Sequence, residues 1–492
     1  MVAVSNTNPI SNQIYLDLPN DMYTPLAPKR VESPTLLALN HNLLKNYGLD
    51  CEWFEGTEGI SYLAGNGDYS ASNPIAMAYA GHQFGHYSPL LGDGRAHLLG
   101  QLKISDEQYI DVQLKGSGRT PYSRGGDGRA TVGAVIREYL MGEAMAGLGI
   151  PTTRTLAILG TGERVMRDYQ MVPGGIQARA ASSHIRVGSF QYAYAKSGES
   201  GVKALADHLI EHHYSALSER DDKYPALLEA IGIRQANLIA QWMLVGFIHG
   251  VMNTDNMSLV GETIDFGPCA FMDEFKAGKV FSSIDREGRY AWNQQANIGY
   301  WNLSRLAETL LPLFDSDSEQ AIKIAEAHLQ IYISTFQETF QLGLKAKLCM
   351  TSDNELAEDL INSALPTIER EGIDFTLFFD ALTRHAQGES DAELLSLFSS
   401  ADVGQAWLSQ WAQERDSSDE ALAAMRQANP ALIARNHQVE KTIEDAMERN
   451  DFTLFHRLAE ALKTPYHVSE ENRDLQAAPK PQERVLRTFC GT

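Results

Sequence analysis

Cysteine is scarce in this chain, and so is positive charge. Four cysteines (Cys51, Cys269, Cys349 and Cys490) spread over 492 residues make neither a disulfide framework nor a CxxC zinc pattern. Lys and Arg number 41 against 63 Asp and Glu, a formal charge of −22. That balance excludes general binding to nucleic-acid backbones but leaves room for a local basic pocket that takes one nucleotide. No apolar run is long enough to span a membrane, since the stretch Leu238 to Met252 is broken by Gln241, Gly246, His249 and Gly250. The N-terminus, MVAVSNTNPISNQIYLDLP, has neither a basic nor an apolar leader region, so a cytoplasmic protein, with no membrane partner, is expected. Repeats, low-complexity linkers, a GxxxxGK[ST] P-loop and an HExxH pattern are missing too. With 43% hydrophobic and 21% charged residues, the chain can nevertheless bury a large core.

The first seventy or so residues read as irregular, with one short helical stretch around Pro34 to Tyr47. From Gly81 to about Gly188 glycine-rich turns (LGDGRA, LKGSGR, RGGDGRA, LGTGER, PGGIQAR) punctuate short runs, AHLLGQL, YIDVQLK, RTLAILG and IQARAAS, which predict an antiparallel sheet. ATVGAVIREYLMGEAMAGLGI has helical spacing and stops at Gly149 and Pro151. From about Val202 onward the pattern is helical, interrupted by a short hairpin around SLVGETIDFG. The expected division is an N-terminal extension (1–75), a β-rich lobe with one helix (76–190), a helical lobe (191–345) and a helical C-terminal region (346–492).

Lys115 closes the alternating run IDVQLK, and Glu138 lies in the helix that follows. A strand lysine paired with a helix glutamate is how kinase folds hold a lysine against ATP phosphates. Either residue alone reads more plainly as a surface side chain. Upstream, Gly92, Gly94 and Arg95 form a turn where backbone N–H groups and a guanidinium suit a phosphate. Asp265-Phe266-Gly267 follows an apolar approach and Asn256 precedes it, a hard-oxygen pair suited to Mg²⁺ on ATP. The order of Lys115, Glu138, Asn256 and Asp265 carries the signal more than any one of them. A departure accompanies it: His249-Gly250 is followed by Val251 where kinases place their catalytic Asp, and the nearest substitute is Asp255. Arg179 and Arg186 add positive charge beside late strands. Asp127 and Gly128 stand before the Glu138 helix, as part of an anion site or, equally, with Asp127 as its N-cap. His82 and His86 read as structural and His212-His213 as a helix-surface pair.

GHYSPLLGDGRAHLLGQ, VQLKGSGRTPYSRGGDGRA, HGVMNTDNMS, TIDFGPCAFMD and the terminal TFCGT resemble the selenoprotein O family of protein adenylyltransferases, from about Leu18 to Thr492. The resemblance implies an α+β, two-lobed protein-kinase-like fold that transfers AMP from ATP to Ser, Thr or Tyr hydroxyls of proteins. UMP transfer from UTP with Mn²⁺ is attributed to some members, and a bacterial cytoplasmic protein is expected. Residue by residue it implies nucleotide binding by Gly92, Gly94, Arg95, Lys115, Asp127, Gly128, Arg179, Arg186 and Asp265. It further implies Glu138 as the partner of Lys115, Asn256 and Asp265 as Mg²⁺ ligands, and Asp255 as proton acceptor. Cys490 stands where some members carry selenocysteine, and the resemblance suggests a reversible Cys269–Cys490 disulfide. A phosphotransferase using Asp255 as base, and an inert nucleotide-binding scaffold, are the alternatives left open.

Overall fold

Strict alternation along Tyr109–Lys115 shapes the small lobe. Ile110, Val112 and Leu114 point to an apolar cluster with Leu99, Leu156 and Ala178, so Asp111, Gln113 and Lys115 must face the other side of the sheet. The computed structural model describes residues 8–11, 13–105, 108–352 and 354–489. Its strands are β1 (Ile10–Ser11), β2 (Tyr23–Pro25), β3 (Thr35–Leu39), β4 (Ile75–Met77), β5 (Gly81–Gln83), β6 (His86–Ser88), β7 (Ala96–Lys103), β8 (Tyr109–Lys115), β9 (Ala130–Thr131), β10 (Arg154–Arg167), β11 (Gln170–Ala181), β12 (Phe247–Ile248) and β13 (Ala270–Phe271). The main sheet runs β2-β4-β7-β8-β11-β10-β3, with β1 on β7 and β9 on β11, while β5–β6 and β12–β13 are separate two-stranded sheets. Antiparallel register sets Arg179 of β11 opposite Gln113 of β8 and Gln177 opposite Lys115. Arg179 is thereby placed on the same face as the lysine.

Helices α1 (His41–Asn46), α2 (Cys51–Glu55) and α3 (Thr57–Leu63) precede α4 (Val132–Gly147), which lies against β10 and β11. The large lobe follows as α5 (Val187–His213), α6 (Lys223–Leu244), α7 (Gln295–Phe314) and α8 (Ser318–Lys347), with α6 packed on α7 and α8. This is the mixed, two-lobed kinase-like arrangement expected. Helices between Glu355 and Gln476 then return to the small lobe, and Asn436–Arg449 and Thr453–Ala461 pack on α4. A Cβ at Gly147 would stand 2.0 Å from the Leu462 carbonyl oxygen, so the closeness of this contact requires glycine. Arg137 pairs with Glu440, the Tyr139 and Phe455 rings meet edge to face at 5.2 Å, and Tyr466 Oη donates to the Leu148 carbonyl at 3.0 Å. The helix that carries Glu138 is therefore braced from behind by the C-terminal region.

Several local expectations are revised. The Pro34–Tyr47 stretch splits into strand β3 and helix α1, and β1 to β3 all belong to the main sheet, so residue 75 does not mark its edge. SLVGETIDFG is not a hairpin: the paired strands are β12 and β13, which flank the loop holding Asn256 and Asp265. The N-cap of α4 is Thr131, whose Oγ1 accepts from Ala134 N at 3.1 Å, and not Asp127. His212 and His213 are half-buried at the end of α5, where both line a second cavity, and burial pushes His213 down to about 4. Among the described residues no helix is long and apolar enough to cross a membrane.

His208, on the inner face of α5, is 7% exposed, and burial drives its pKa down to about 3. The native state keeps this ring neutral while the unfolded chain protonates near pH 6.5. Its contribution is complete above about pH 6.5 and is lost as pH falls from there towards 3. Replacing it with Gln should flatten the acid side of the stability curve by up to about 1.4 kcal/mol per pH unit. Urea unfolding of both proteins at pH 7.0 and pH 5.0 measures this, and an unchanged slope in the variant contradicts it.

Candidate functional site

Three cations converge on one carboxylate between the lobes. Lys115 Nζ donates to Asp265 Oδ1 at 2.6 Å and to Glu138 Oε1 at 2.5 Å. Arg179 Nη1 donates to Asp265 Oδ1 at 2.8 Å, and its Nη2 donates to Gln113 Oε1 at 2.5 Å. Arg186 Nη1 donates to Asp265 Oδ2 at 2.8 Å and to the Asp255 carbonyl at 2.7 Å. Arg179 and Arg186 are 1% and 3% exposed, so their charges have little water to rely on. Burial opposes ionisation of Asp265, but Lys115, Arg179 and Arg186 outweigh it and hold the carboxyl well below the usual range. Asp265 also has φ +66, an uncommon left-handed backbone for a non-glycine residue, as strained functional positions often have. His249 fixes the approach: its Nε2 bonds the Ile264 carbonyl at 2.9 Å and its main-chain N–H donates to Gln295 Oε1 at 3.0 Å.

This cluster forms the inner end of a cavity of about 610 Å³ lined by Gly92, Gly94, Arg95, Lys115, Asp127, Gly128, Glu138, Arg179, Arg186, Asn256 and Asp265. The structure thus brings together every residue singled out for nucleotide, lysine-pairing and metal roles. Asn256 Nδ2 donates to the Val251 carbonyl at 3.0 Å, which leaves its oxygen as the remaining donor atom. No group of three or more His, Cys, Asp or Glu side chains suited to a metal occurs among the described residues. An amide oxygen and one carboxylate fit a hard divalent cation that takes its other ligands from phosphates and water.

Asp255 is the exception, as it does not line this cavity. It is 8% exposed and lies under the β5–β6 hairpin, where Gln83 Nε2 donates to its Oδ2 at 3.4 Å and Oδ1 has no partner. Burial, opposed by Arg186, raises its pKa to about 6. The hairpin is pinned to the same loop by His82 N donating to Thr254 Oγ1 (2.7 Å) and Phe84 N donating to Asn253 Oδ1 (3.0 Å). His82 is structural in this sense, and its Nδ1 meets Gln191 Nε2 at 2.7 Å.

The glycine turn owes its composition to packing as well as to access. Gly92 has φ +71, and a Cβ there would meet the Tyr122 ring at 2.4 Å. Sequence reasoning missed Tyr122, Asp93 and Arg167. Buried Asp93 accepts from Gln113 Nε2 at 2.9 Å, which ties the turn to the strand of Lys115. Arg167 reaches across to Asp127 with two bonds, of 2.8 and 3.0 Å, and these hold the Asp127 carboxyl below its ordinary value. Only long-range pairing exposes these partners. Cys269 is buried, with Sγ donating to the Phe266 carbonyl at 3.2 Å. Cys490 lies outside the described residues. The preceding tail is laid beside this loop, since Thr488 Oγ1 donates to the Pro268 carbonyl at 2.5 Å and Thr488 N donates to the Phe281 carbonyl at 2.8 Å.

A lysine–glutamate pair, an Asn–Asp pair and a cleft between a sheet lobe and a helical lobe are the arrangement of the kinase-like class. A family model described as protein adenylyltransferase SelO matches residues 10–463. Curated relatives named protein nucleotidyltransferase YdiU are similar along almost their whole length. The one from Shewanella denitrificans is 51% identical over 99% of this chain and 98% of its own. That from Rhizobium etli (strain CIAT 652) is 47% identical over 97% and 96%, and that from Bacillus cytotoxicus 45% over 97% and 96%. The chain belongs to the SelO protein adenylyltransferase family.

Asp265→Ala should destabilise the fold by roughly 3–5 kcal/mol, the cost of leaving buried cations without their counter-charge. Denaturant unfolding of the variant measures it. A midpoint equal to wild type would mean that the convergence contributes nothing to stability.

Proposed function

We propose that this protein transfers a nucleotidyl group, AMP from ATP, to hydroxyl groups of other proteins with release of pyrophosphate. The observation that carries the reading is the convergence of Lys115, Arg179 and Arg186 at the inner end of the cavity beside Asn256 and Asp265. A leaving pyrophosphate carries more charge than the ADP released in γ-phosphoryl transfer, and a preorganised trio of cations stabilises it without reorganisation. When no phosphate is present the same trio is held by Asp265, with Glu138 as second partner of Lys115.

In the proposed step the acceptor oxygen bonds to the α-phosphorus, and the bond from that phosphorus to the β-bridging oxygen breaks with its electron pair on pyrophosphate. The hydroxyl proton passes to Asp255, whose Oδ1 has no competing partner. A loose transition state makes little demand on a strong base. Asn256 and Asp265 are the residues that would hold Mg²⁺ or Mn²⁺, which supplies further neutralisation of phosphate charge. UTP as an alternative donor, and Ser, Thr or Tyr as acceptors, belong to the same proposal. A redox link between Cys269 and Cys490 is retained as well, supported by the Thr488–Pro268 contact.

Incubation with an acceptor-protein mixture and ATP labelled on either phosphate tests the reading. Label from the α-phosphate should become protein-bound and label from the γ-phosphate should not; the reverse pattern would establish a kinase, and neither would establish an inert scaffold. Lys115→Met should lower turnover by about 10²-fold or more, since the lost charge acts mainly on the transition state. Unchanged turnover with weaker nucleotide affinity would limit the lysine to binding.

A further inference from the structure

The second cavity, which His212 and His213 line, lies at the end of β8 away from Lys115. It measures about 280 Å³ and is bounded by Tyr109 and Asp111 of β8, Ser182, Glu211 near the end of α5, and Arg234 of α6. Pockets for drug-sized ligands run about 300–1,000 Å³, so this one suits a molecule smaller than a nucleotide. Its only aliphatic walls among the described residues are Ile14 and Val260, which leaves no apolar panel for a nucleobase or an acyl chain.

Opposite charges face this space without pairing. Arg234 lies over the Tyr214 ring at 4.1 Å and donates to the main-chain carbonyls of His213 (3.2 Å) and Val260 (3.4 Å). Neither Arg234 nor Glu211 has an ion pair among the described residues, and Asp111 pairs with His184 alone. A metal does not answer to this arrangement, since no three His, Cys, Asp or Glu side chains are gathered to hold one among the described residues. A phosphate would set its charge against Asp111 and Glu211. Unpaired charges of both signs around a small polar space match a ligand that carries both.

The wall of this cavity is also a joint of the nucleotide site. Asp111 Oδ2 accepts from His184 N and meets His184 Nδ1, both at 3.1 Å. Ser182 Oγ donates to Glu262 Oε1 at 2.6 Å, and Ser182 N donates to Glu262 Oε2 at 3.1 Å. Asp111 shares a strand with Lys115, Glu262 lies three residues before Asp265, and Ser182 and His184 lead into Arg186. The segment that delivers Arg186 is thus held here to the two segments that deliver Lys115 and Asp265.

We propose that this cavity is an effector site for a free α-amino acid, with Arg234 taking the carboxylate and Glu211 with Asp111 taking the ammonium. Occupancy fixes Ser182 and His184 and, through them, Arg186, so less remains to be ordered when a nucleotide arrives and its binding tightens. This coupling rests on the reading that the inner cations take the triphosphate, whereas amino-acid binding does not.

Calorimetric titration of the full chain with each protein amino acid, and with succinate and putrescine as ligands of one charge sign, tests the site. At least one amino acid should bind, and succinate and putrescine should not. Arg234→Gln and Glu211→Gln, both at exposed positions, should weaken that amino acid by about 10-fold or more. Glu211 has no ion pair to lose, so the melting temperature of Glu211→Gln should equal that of wild type. With the cavity saturated, α,β-methylene-ATP with Mg²⁺ should bind about 5-fold or more tightly, and Ser182→Ala should remove that gain. No binding by any amino acid, equal binding of succinate or putrescine, or binding indifferent to both substitutions overturns the site. Nucleotide affinity that stays unchanged or falls overturns the coupling. Binding of the amino acid by a chain that does not take the ATP analogue defeats the proposed activity and the coupling together, and supports the site.

Discussion

The balance of charge at Asp265 governs the site. One carboxylate receives Lys115, Arg179 and Arg186 from three different elements, β8, β11 and the start of α5. Burying three cations in an otherwise acidic molecule is costly unless each has a counter-charge and a fixed geometry. That requirement dictates much of the surroundings: Glu138 as second partner of the lysine, Gln113 as acceptor for Arg179, and the Asp255 carbonyl for Arg186.

The supporting architecture follows from the need to keep Glu138 in place. Its helix is clasped between the sheet in front and the C-terminal helices behind, with Gly147 against Leu462, Tyr139 against Phe455 and Arg137 against Glu440. The C-terminal region is thus part of the scaffold that holds the Glu138 helix beside the cavity. Beside the cavity, the β5–β6 hairpin holds Asn253, Thr254 and Asp255 through Phe84, His82 and Gln83 respectively. This support stands where kinases use a differently placed aspartate.

Much of this was legible in the residues. The period of two in YIDVQLK put Lys115 on the polar face of a buried strand, and the period of 3.6 in the following segment placed Glu138 on a helix, while their meeting depends on how α4 packs against the sheet. Asn256 and Asp265 stood out as an Asn–Asp pair around a buried approach, and both line the cavity. Reading failed where the outcome depended on what lay opposite. Thr35–Leu39 pairs with β10 across a large sequence separation, and Asp127 finds Arg167 instead of capping a helix. Thr131 took the capping position because β9 intervenes.

The sequence by itself determined the chemistry available: an acidic chain with a few well-spaced cations, two hard-oxygen donors and a missing kinase base. It also determined the lobes, because alternation and helical spacing are local properties of the chain. Only the tertiary structure decided which charges neutralise each other, and that Asp255 lies beneath a hairpin outside the cavity lining. Those outcomes depend on distances between segments far apart in sequence, set by sheet register and by packing of the C-terminal helices on α4, and no local pattern encodes them.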